Sequence, residues 1–194
     1  MECVDVHEEA ESEILNGISS VGYNYNLPGA ELIYYRDFMT QDLADFYFET
    51  FMQLPFVQGR VRGGLENRLS CFYSELVVGN ELKSYEYSGK INPSLPFTDE
   101  MLFLKKSIER VTGATYNSCL VNLYITGKST IGFHSDSEKS LKKYSTIASI
   151  SLGAERWFDV VSAGGGPYAT GYGVDMSGRI RLSNYDGRNY ADSL

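Results

Sequence analysis

Between Thr40 and Leu54 the apolar residues Leu43, Phe46, Tyr47, Phe51 and Leu54 recur at i, i+3, i+4, i+8 and i+11. That spacing predicts an amphipathic core helix, with Thr40 as its N-cap and Pro55 stopping it. A second helix is predicted from about Thr98 to Val111, with Met101, Leu104, Ile108 and Val111 on one face and Gly113 placed for a left-handed C-terminal cap. Elsewhere the period falls to two. Arg68 to Tyr73 and Leu82 to Ser88 read as strands around a Gly79-Asn80 turn, and Asn117 to Ile125 as a third leading into Thr126-Gly127-Lys128. Thr146 to Leu152 alternates, and Trp157 to Val161 follows a short turn at Gly153-Ala154. Two early helices and many later strands predict an α+β, mainly β fold, with the helices packed on a sheet sandwich or jelly roll. No internal repeat is present. From Ser162 the chain turns to Ala163-Gly164-Gly165-Gly166-Pro167 and then a Gly, Tyr, Asn and Asp-rich tail, expected to add little core.

Length and composition narrow the class. At 194 residues, 43% hydrophobic and 13% aromatic, the chain fits one folded domain and is far from a disordered composition. No run approaches the roughly 18 to 20 apolar residues of a membrane span, and Met1-Glu2-Cys3-Val4-Asp5 lacks the basic and apolar regions of a signal peptide. An intracellular protein with no membrane partner is the expectation, and a monomer. Cys3, Cys71 and Cys119 form no paired framework or ligand spacing and read as free thiols, two of them in core strands. The net charge of -8 argues against a nucleic-acid surface until its distribution is read. Residues 1 to 50 hold eleven of the 25 acids and one of the 17 bases, so the rest carries 14 acids and 16 bases. The acidic residues 1–26 are expected to be a mobile tail or loosely docked arm, with the folded domain at 27–194. Arg60, Arg62, Arg68, Lys139, Lys142 and Lys143 could form a basic face on that near-neutral body, or a solvated surface.

The chemistry concentrates between Asn122 and Glu138. His134, the one histidine of the expected folded part, lies two residues before Asp136. On an extended strand residues i and i+2 share a face, so an imidazole nitrogen and a carboxylate oxygen can meet one metal. That is half of a two-His-one-carboxylate site for non-haem iron(II), which leaves positions open for a co-substrate and oxygen. A loop hydrogen bond is the alternative for the histidine.

Four segments in order carry a resemblance. Leu27-Pro28-Gly29-Ala30-Glu31-Leu32-Ile33-Tyr34-Tyr35 is followed by Tyr85-Glu86-Tyr87-Ser88-Gly89. The block from Asn117 to Glu138 fits N-x-x-L-x-N-x-Y-x-x-G-x-x-x-I-G-x-H-x-D-x-E. The fourth, Ile147 to Phe158, fits I-A-S-x-S-L-G-A-x-R-x-F. Together they resemble the AlkB-like family of iron(II)- and 2-oxoglutarate-dependent dioxygenases, over about two thirds of the chain. The resemblance implies a double-stranded β-helix and a cofactor set of Fe(II) with 2-oxoglutarate and O2 as co-substrates. It makes His134 and Asp136 catalytic iron ligands and Asn122 and Tyr124 donors to 2-oxoglutarate. It places Tyr85, Tyr87, Glu138 and Arg156 at the substrate, Tyr87 stacking on a flipped base and Arg156 also structuring the site. A satisfied polar pair is the other reading for Asn122 and Tyr124, strand packing for the two tyrosines, and an exposed salt bridge for Arg156. The implied activity is oxidative demethylation of N-alkylated bases in DNA or RNA, with formaldehyde leaving, as in alkylation damage repair.

Two positions depart from the family pattern. Ser137 stands where a carboxylate often follows the iron-binding aspartate, and no histidine follows His134. The tail can be aligned in two ways. Gly187-Arg188-Asn189-Tyr190 falls near the family's M-x-G-x-x-Q turn, which would put the second histidine at or just beyond Leu194 and make the chain truncated, without the arginine-bearing last strand; loss of resemblance makes an incomplete domain after about residue 161 a further expectation. Alternatively, Arg179-Ile180-Arg181-Leu182-Ser183 matches the strand whose arginine binds the far carboxylate of 2-oxoglutarate, which makes Arg179 the anchor. The competing function is an inactive or truncated AlkB-like domain that binds nucleic acid without turnover.

Overall fold

The structure is a computed structural model that describes residues 17–27, 31–61, 64–78, 81–87, 90–132, 134, 142, 145–160, 172–175 and 179–183. In chain order the strands and helices are β1 (Tyr23–Asn24), β2 (Ile33–Tyr34), α1 (Gln41–Phe51), β3 (Val57–Val61), β4 (Gly64–Ser74), β5 (Val77–Val78), β6 (Glu81–Leu82), β7 (Tyr85–Tyr87), β8 (Lys90–Asn92) and β9 (Ser94–Leu95). They continue with α2 (Asp99–Thr112), β10 (Ser118–Leu123), β11 (Ala148–Ile150), β12 (Trp157–Val160), β13 (Tyr172–Asp175) and β14 (Arg179–Ser183). The architecture is α+β: two helices against an antiparallel sheet ordered β11-β14-β10-β4-β3, with β9 added in parallel to β4.

Both helices follow the apolar spacing. Thr98 Oγ1 accepts the Met101 amide at 3.3 Å, Asp99 and Glu100 sit in the first turn of α2, and Gly113 closes it at φ 68°. α1 begins after an extended Thr40 whose side chain makes no capping bond. It buries Tyr47 and Phe51, but Phe46, expected on the core face, is 49% exposed. Its ring lies edge-on to Tyr47, so the stripe drawn from the sequence is wider than the surface the sheet offers. Lys105 ties α2 to the sheet through Glu75 at 2.8 Å.

Directly opposed residues share a sheet face, as do residues two apart on one strand. One face carries the row Cys71, Val121, Ile180, Ile150 and the row Tyr73, Cys119, Leu182, Ala148. Cys71, Tyr73, Cys119 and Val121 from these rows form one core with Tyr47, Phe51, Met101, Leu104 and Ile108, and Ala148 and Ile150 pack against it. Each fully buried aliphatic side chain there contributes about 1.5–3 kcal/mol. Burial pushes the Cys71 thiol up to about 12, against the lowering effect of its hydrogen bond with Tyr73, and raises the Cys119 thiol as well. Both are free thiols.

Two expectations change and one is narrowed. Strand β4 does not pair with the strand after the 79–80 turn; its partners are β10, β3 and β9, and β5 and β6 form a separate small hairpin. Of the mobile tail or docked arm expected at the N-terminus, the described part takes the docked form: β1 pairs with β2, Ile18 bridges Met39, and the Ser19 amide bonds Phe38 O at 2.8 Å. The tail supplies β14, which lies between β10 and β11 inside the sheet rather than outside the core. In the sequence Arg179, Ile180, Arg181 and Leu182 alternate with the period of two that marks a strand. Among the described residues no helix is long and apolar enough to cross a membrane.

Candidate functional site

The sheet's second face is polar at its centre. One row across it is Ser70, Asn122 and position 179; the next is Phe72, Leu120, position 181 and Ser149. Arg68 stands two residues before Ser70 on β4, in the stretch where the register with β3 shifts, and Ser151 stands two residues after Ser149, just past the end of β11. Asn122 is 9% exposed, and its Oδ1 has no hydrogen-bond partner among the described residues. The Ser151 hydroxyl and Arg68 Nε are likewise buried and unpartnered among them. Backbone register sets Arg179, the sequence-derived anchor, directly across from Asn122.

Arg68 is a residue that sequence reasoning misplaced. Grouped with a possible basic surface, it is 8% exposed, and its Nη2 meets Glu66 Oε1 at 3.2 Å with Glu66 equally buried. The signal was present as Glu66, Arg68 and Ser70 at alternate positions of one strand, a polar stripe opposite Leu69, Cys71 and Tyr73 in phase.

Beyond β10 the chain enters the turn Thr126–Ser129 and then reaches His134. The turn is closed by the Ser129 amide on Thr126 O at 2.9 Å and the Lys128 amide on Thr126 Oγ1 at 3.2 Å. Two flanking elements grip it. Asn67 Nδ2 on β4 donates to Lys128 O at 3.1 Å. Arg156 donates Nη1 to Thr126 O at 3.4 Å and Nη2 to Gly127 O at 3.3 Å, with a third bond to Ser129 O, while its guanidinium lies 5.3 Å from the centre of the half-buried Tyr124 ring. Arg156, grouped above with the substrate-contacting residues, thus holds its guanidinium on the turn.

His134 is exposed, and its Nδ1 lies 2.8 Å from Gly132 O. A carbonyl oxygen only accepts, so Nδ1 carries the proton in this contact, and in the neutral tautomer that it favours the lone pair belongs to Nε2, as in a metal-binding imidazole. The loop bond and a metal role are therefore compatible. Asp136 and Glu138 lie outside the described residues. Tyr85 and Tyr87 belong to β7, where backbone register pairs position 85 with Asn92 and position 87 with position 90 of β8. Among the described residues no three His, Cys, Asp or Glu side chains gather as a metal-binding group.

Residues 31–184 match the 2OG-Fe(II) oxygenase superfamily. The chain belongs to that superfamily. As an AlkB-like member of it, the chain is 39% identical over 94 residues to the alpha-ketoglutarate-dependent dioxygenase alkB homolog 3 of Bos taurus, covering 48% of this chain and 30% of that protein. The same figures hold for the alkB homolog 3 of Homo sapiens. DNA oxidative demethylase ALKBH2 of Homo sapiens is 37% identical over 84 residues, 43% of this chain and 32% of that protein. The matched stretches span about a third of the length of these relatives.

A 2OG-Fe(II) oxygenase uses iron(II), 2-oxoglutarate and dioxygen, and the polar face fits the dicarboxylate. An interior surface with an unpaired amide end, an unpaired hydroxyl and an unpaired guanidinium edge is costly without a ligand, because each buried polar atom left unmatched loses about 1–3 kcal/mol. An amide can rotate to turn either its oxygen or its NH2 to a ligand. His134, with its Nδ1 engaged, fits the metal as one ligand.

Proposed function

We propose that this chain is an Fe(II)- and 2-oxoglutarate-dependent dioxygenase that oxidatively demethylates N-alkylated bases in DNA or RNA, on a double-stranded β-helix whose interior is the polar face of the β11-β14-β10-β4 sheet. The observation that carries the reading is the buried Asn122 side chain, whose Oδ1 has no partner among the described residues, flanked across the sheet by Ser70 and position 179. The similarity to DNA oxidative demethylase ALKBH2, whose name specifies oxidative demethylation of DNA, supports the substrate class.

Asn122 and the Tyr124 hydroxyl would donate to a carboxylate of 2-oxoglutarate, and Arg179 would pair with the other, where a low-dielectric interior rewards charge-assisted bonds. His134 through Nε2 and Asp136 would hold the iron. When bound, the iron with its co-substrates supplies the oxidising power that hydroxylates an N-methyl group, which leaves as formaldehyde. Tyr85 and Tyr87 would stack on the extruded base, worth about 1–3 kcal/mol per base, with Glu138 near its edge. Arg156 and Asn67 hold the turn that leads from Tyr124 to His134. The buried free thiols support a reducing, intracellular setting.

Anaerobic titration with iron(II) and 2-oxoglutarate tests the reading through the visible charge-transfer band of the chelate. A saturable band that His134→Ala abolishes is expected, followed by 2-oxoglutarate-dependent formaldehyde release from an oligonucleotide carrying 1-methyladenine or 3-methylcytosine. A second reading, a domain that binds nucleic acid without turnover, is favoured by the histidine count: His7 and His134 are the two in the sequence. Oligonucleotide binding with no band above the His134→Ala control would establish it.

A further inference from the structure

We propose that Arg68 is an oxyanion-binding residue of this site, offering its Nε edge to a carboxylate or phosphate of a ligand seated on the polar face. The inference rests on the reading above and adds a cationic residue to it. A guanidinium carries five N–H donors in a fixed fork and does not shed its proton, so burial forces every donor to find an acceptor. Glu66 satisfies one end at 3.2 Å, while Nε remains without an acceptor and closed to solvent. A pair retained only for packing would be better served by apolar residues of the same volume. The unmade bond points instead to an acceptor that arrives with a ligand.

Placement says which ligand surface. Arg68 immediately precedes Leu69, whose antiparallel partner is Leu123, so it stands at the level where β10 runs on into Tyr124. Three buried side-chain atoms lack partners among the described residues, Arg68 Nε, Asn122 Oδ1 and Ser151 Oγ. Asn122 lies on this face by register, and Arg68 and Ser151 each stand two residues along the chain from Ser70 and Ser149 of the same face, a grouping that a bound polar molecule explains. The oxyanions that the proposed function brings here are a carboxylate of 2-oxoglutarate and a phosphate of nucleic acid.

The test uses the full chain with Arg68→Gln, Arg68→Lys and Glu66→Gln, with Tyr124→Phe as a control on the co-substrate side. The Kd for 2-oxoglutarate is read from the iron(II) charge-transfer band, and the Kd for a fluorescent single-stranded oligonucleotide from anisotropy across a salt series. In Arg68→Gln one of the two should weaken by about tenfold or more, the other staying within about twofold, as expected for a lost charge-assisted bond. Lysine should restore less than half of the loss in free energy, because it keeps the charge without the fork. Glu66→Gln, which releases Arg68, should tighten the same ligand. A change in the 2-oxoglutarate arm identifies the carboxylate, and a change in the oligonucleotide arm, with a lower salt slope, the phosphate. Should Arg68→Gln not fold, the Lys and Glu66 variants carry the comparison. Arg68 variants that bind both ligands like the wild type, while Tyr124→Phe loses 2-oxoglutarate, would overturn the proposal and leave the proposed function standing. A wild-type chain that binds neither ligand would overturn both.

Discussion

Replacing Arg156 by alanine should loosen the segment between Tyr124 and His134 and cost about 2 kcal/mol. Hydrogen bonds to a charged donor contribute about 1.5–3 kcal/mol each at good geometry, but the bonds to Thr126 O and Gly127 O are 3.4 and 3.3 Å long. Those two carbonyls belong to exposed residues and rehydrate when the guanidinium leaves, so together they count for well under 1 kcal/mol. Ser129 is 5% exposed, and the loss of the bond to its carbonyl is the largest part, about 1–1.5 kcal/mol. The contact over the Tyr124 ring adds about 0.5 kcal/mol in a half-buried setting. Urea unfolding of Arg156→Ala and Arg156→Lys against wild type reads the total, with lysine recovering less than half. Hydrogen exchange reads its location: the Ser129 and Lys128 amides, bonded within the turn, should exchange faster in the variant while those of β10 do not. A stability loss below about 0.5 kcal/mol with unchanged exchange at those amides would refute the assignment of Arg156 as the clamp of this turn.

Gly153 sits at φ 87°, and a Cβ there would meet the Phe48 ring at 2.8 Å, so Gly153→Ala should cost about 1–3 kcal/mol, read by thermal melting, and a variant as stable as wild type would contradict it. Cys71 and Cys119, buried and with raised thiol pKa values, should resist a thiol-specific reagent at pH 8 until denaturant is added; labelling of either in the native chain at the rate of a free thiol would show that the core opens. Burial, with the charge of Glu100 adding to it, pushes the Tyr47 hydroxyl from 10.0 up to about 12, and burial raises Cys71 from 9.0 to about 12. Both groups are neutral when protonated, so their stabilising contribution is complete below about pH 9 and is lost as pH rises toward 12. The urea midpoint should fall across that window and fall less in Tyr47→Phe; a flat profile would refute the shift.

The two helices were legible because a periodic apolar stripe and a cap are local signals. The Thr98 hydroxyl and the left-handed Gly113 sit where the sequence put them. Phe46 was misassigned because periodicity reports which residues share a side of a helix, not how much of that side a sheet covers. Strand positions were also readable within a few residues, but their neighbours were not. The turn at 79–80 suggested a hairpin of adjacent strands, whereas Ser74 pairs with Ser118 and Asn122 with position 179. Such pairings are decided by packing between distant segments, and local turn chemistry carries no record of them. The tail shows the same limit from the other side. Glycine-rich composition argued against core there, and only the second alignment of the tail pointed to a strand at Arg179–Ser183, which the structure sets between β10 and β11.

The candidate site was legible through its motif and illegible through its burial. A strand covered on both faces usually reads as a continuous apolar run. Strand β4 instead places Glu66, Arg68 and Ser70 at alternating positions, and a charged residue in that context is by default read as facing water. The sheet breaks this rule on one face only, while the helix-covered face keeps it with Cys71, Val121, Tyr73 and Cys119. Under the proposed function, a local violation confined to one side of one sheet marks a surface whose polar groups are completed by a ligand. Apolar substitution at Ser151, the least encumbered of the three positions with unpaired atoms, would then stabilise the empty protein while weakening its hold on the ligand, whereas a purely structural face would gain stability with no such loss.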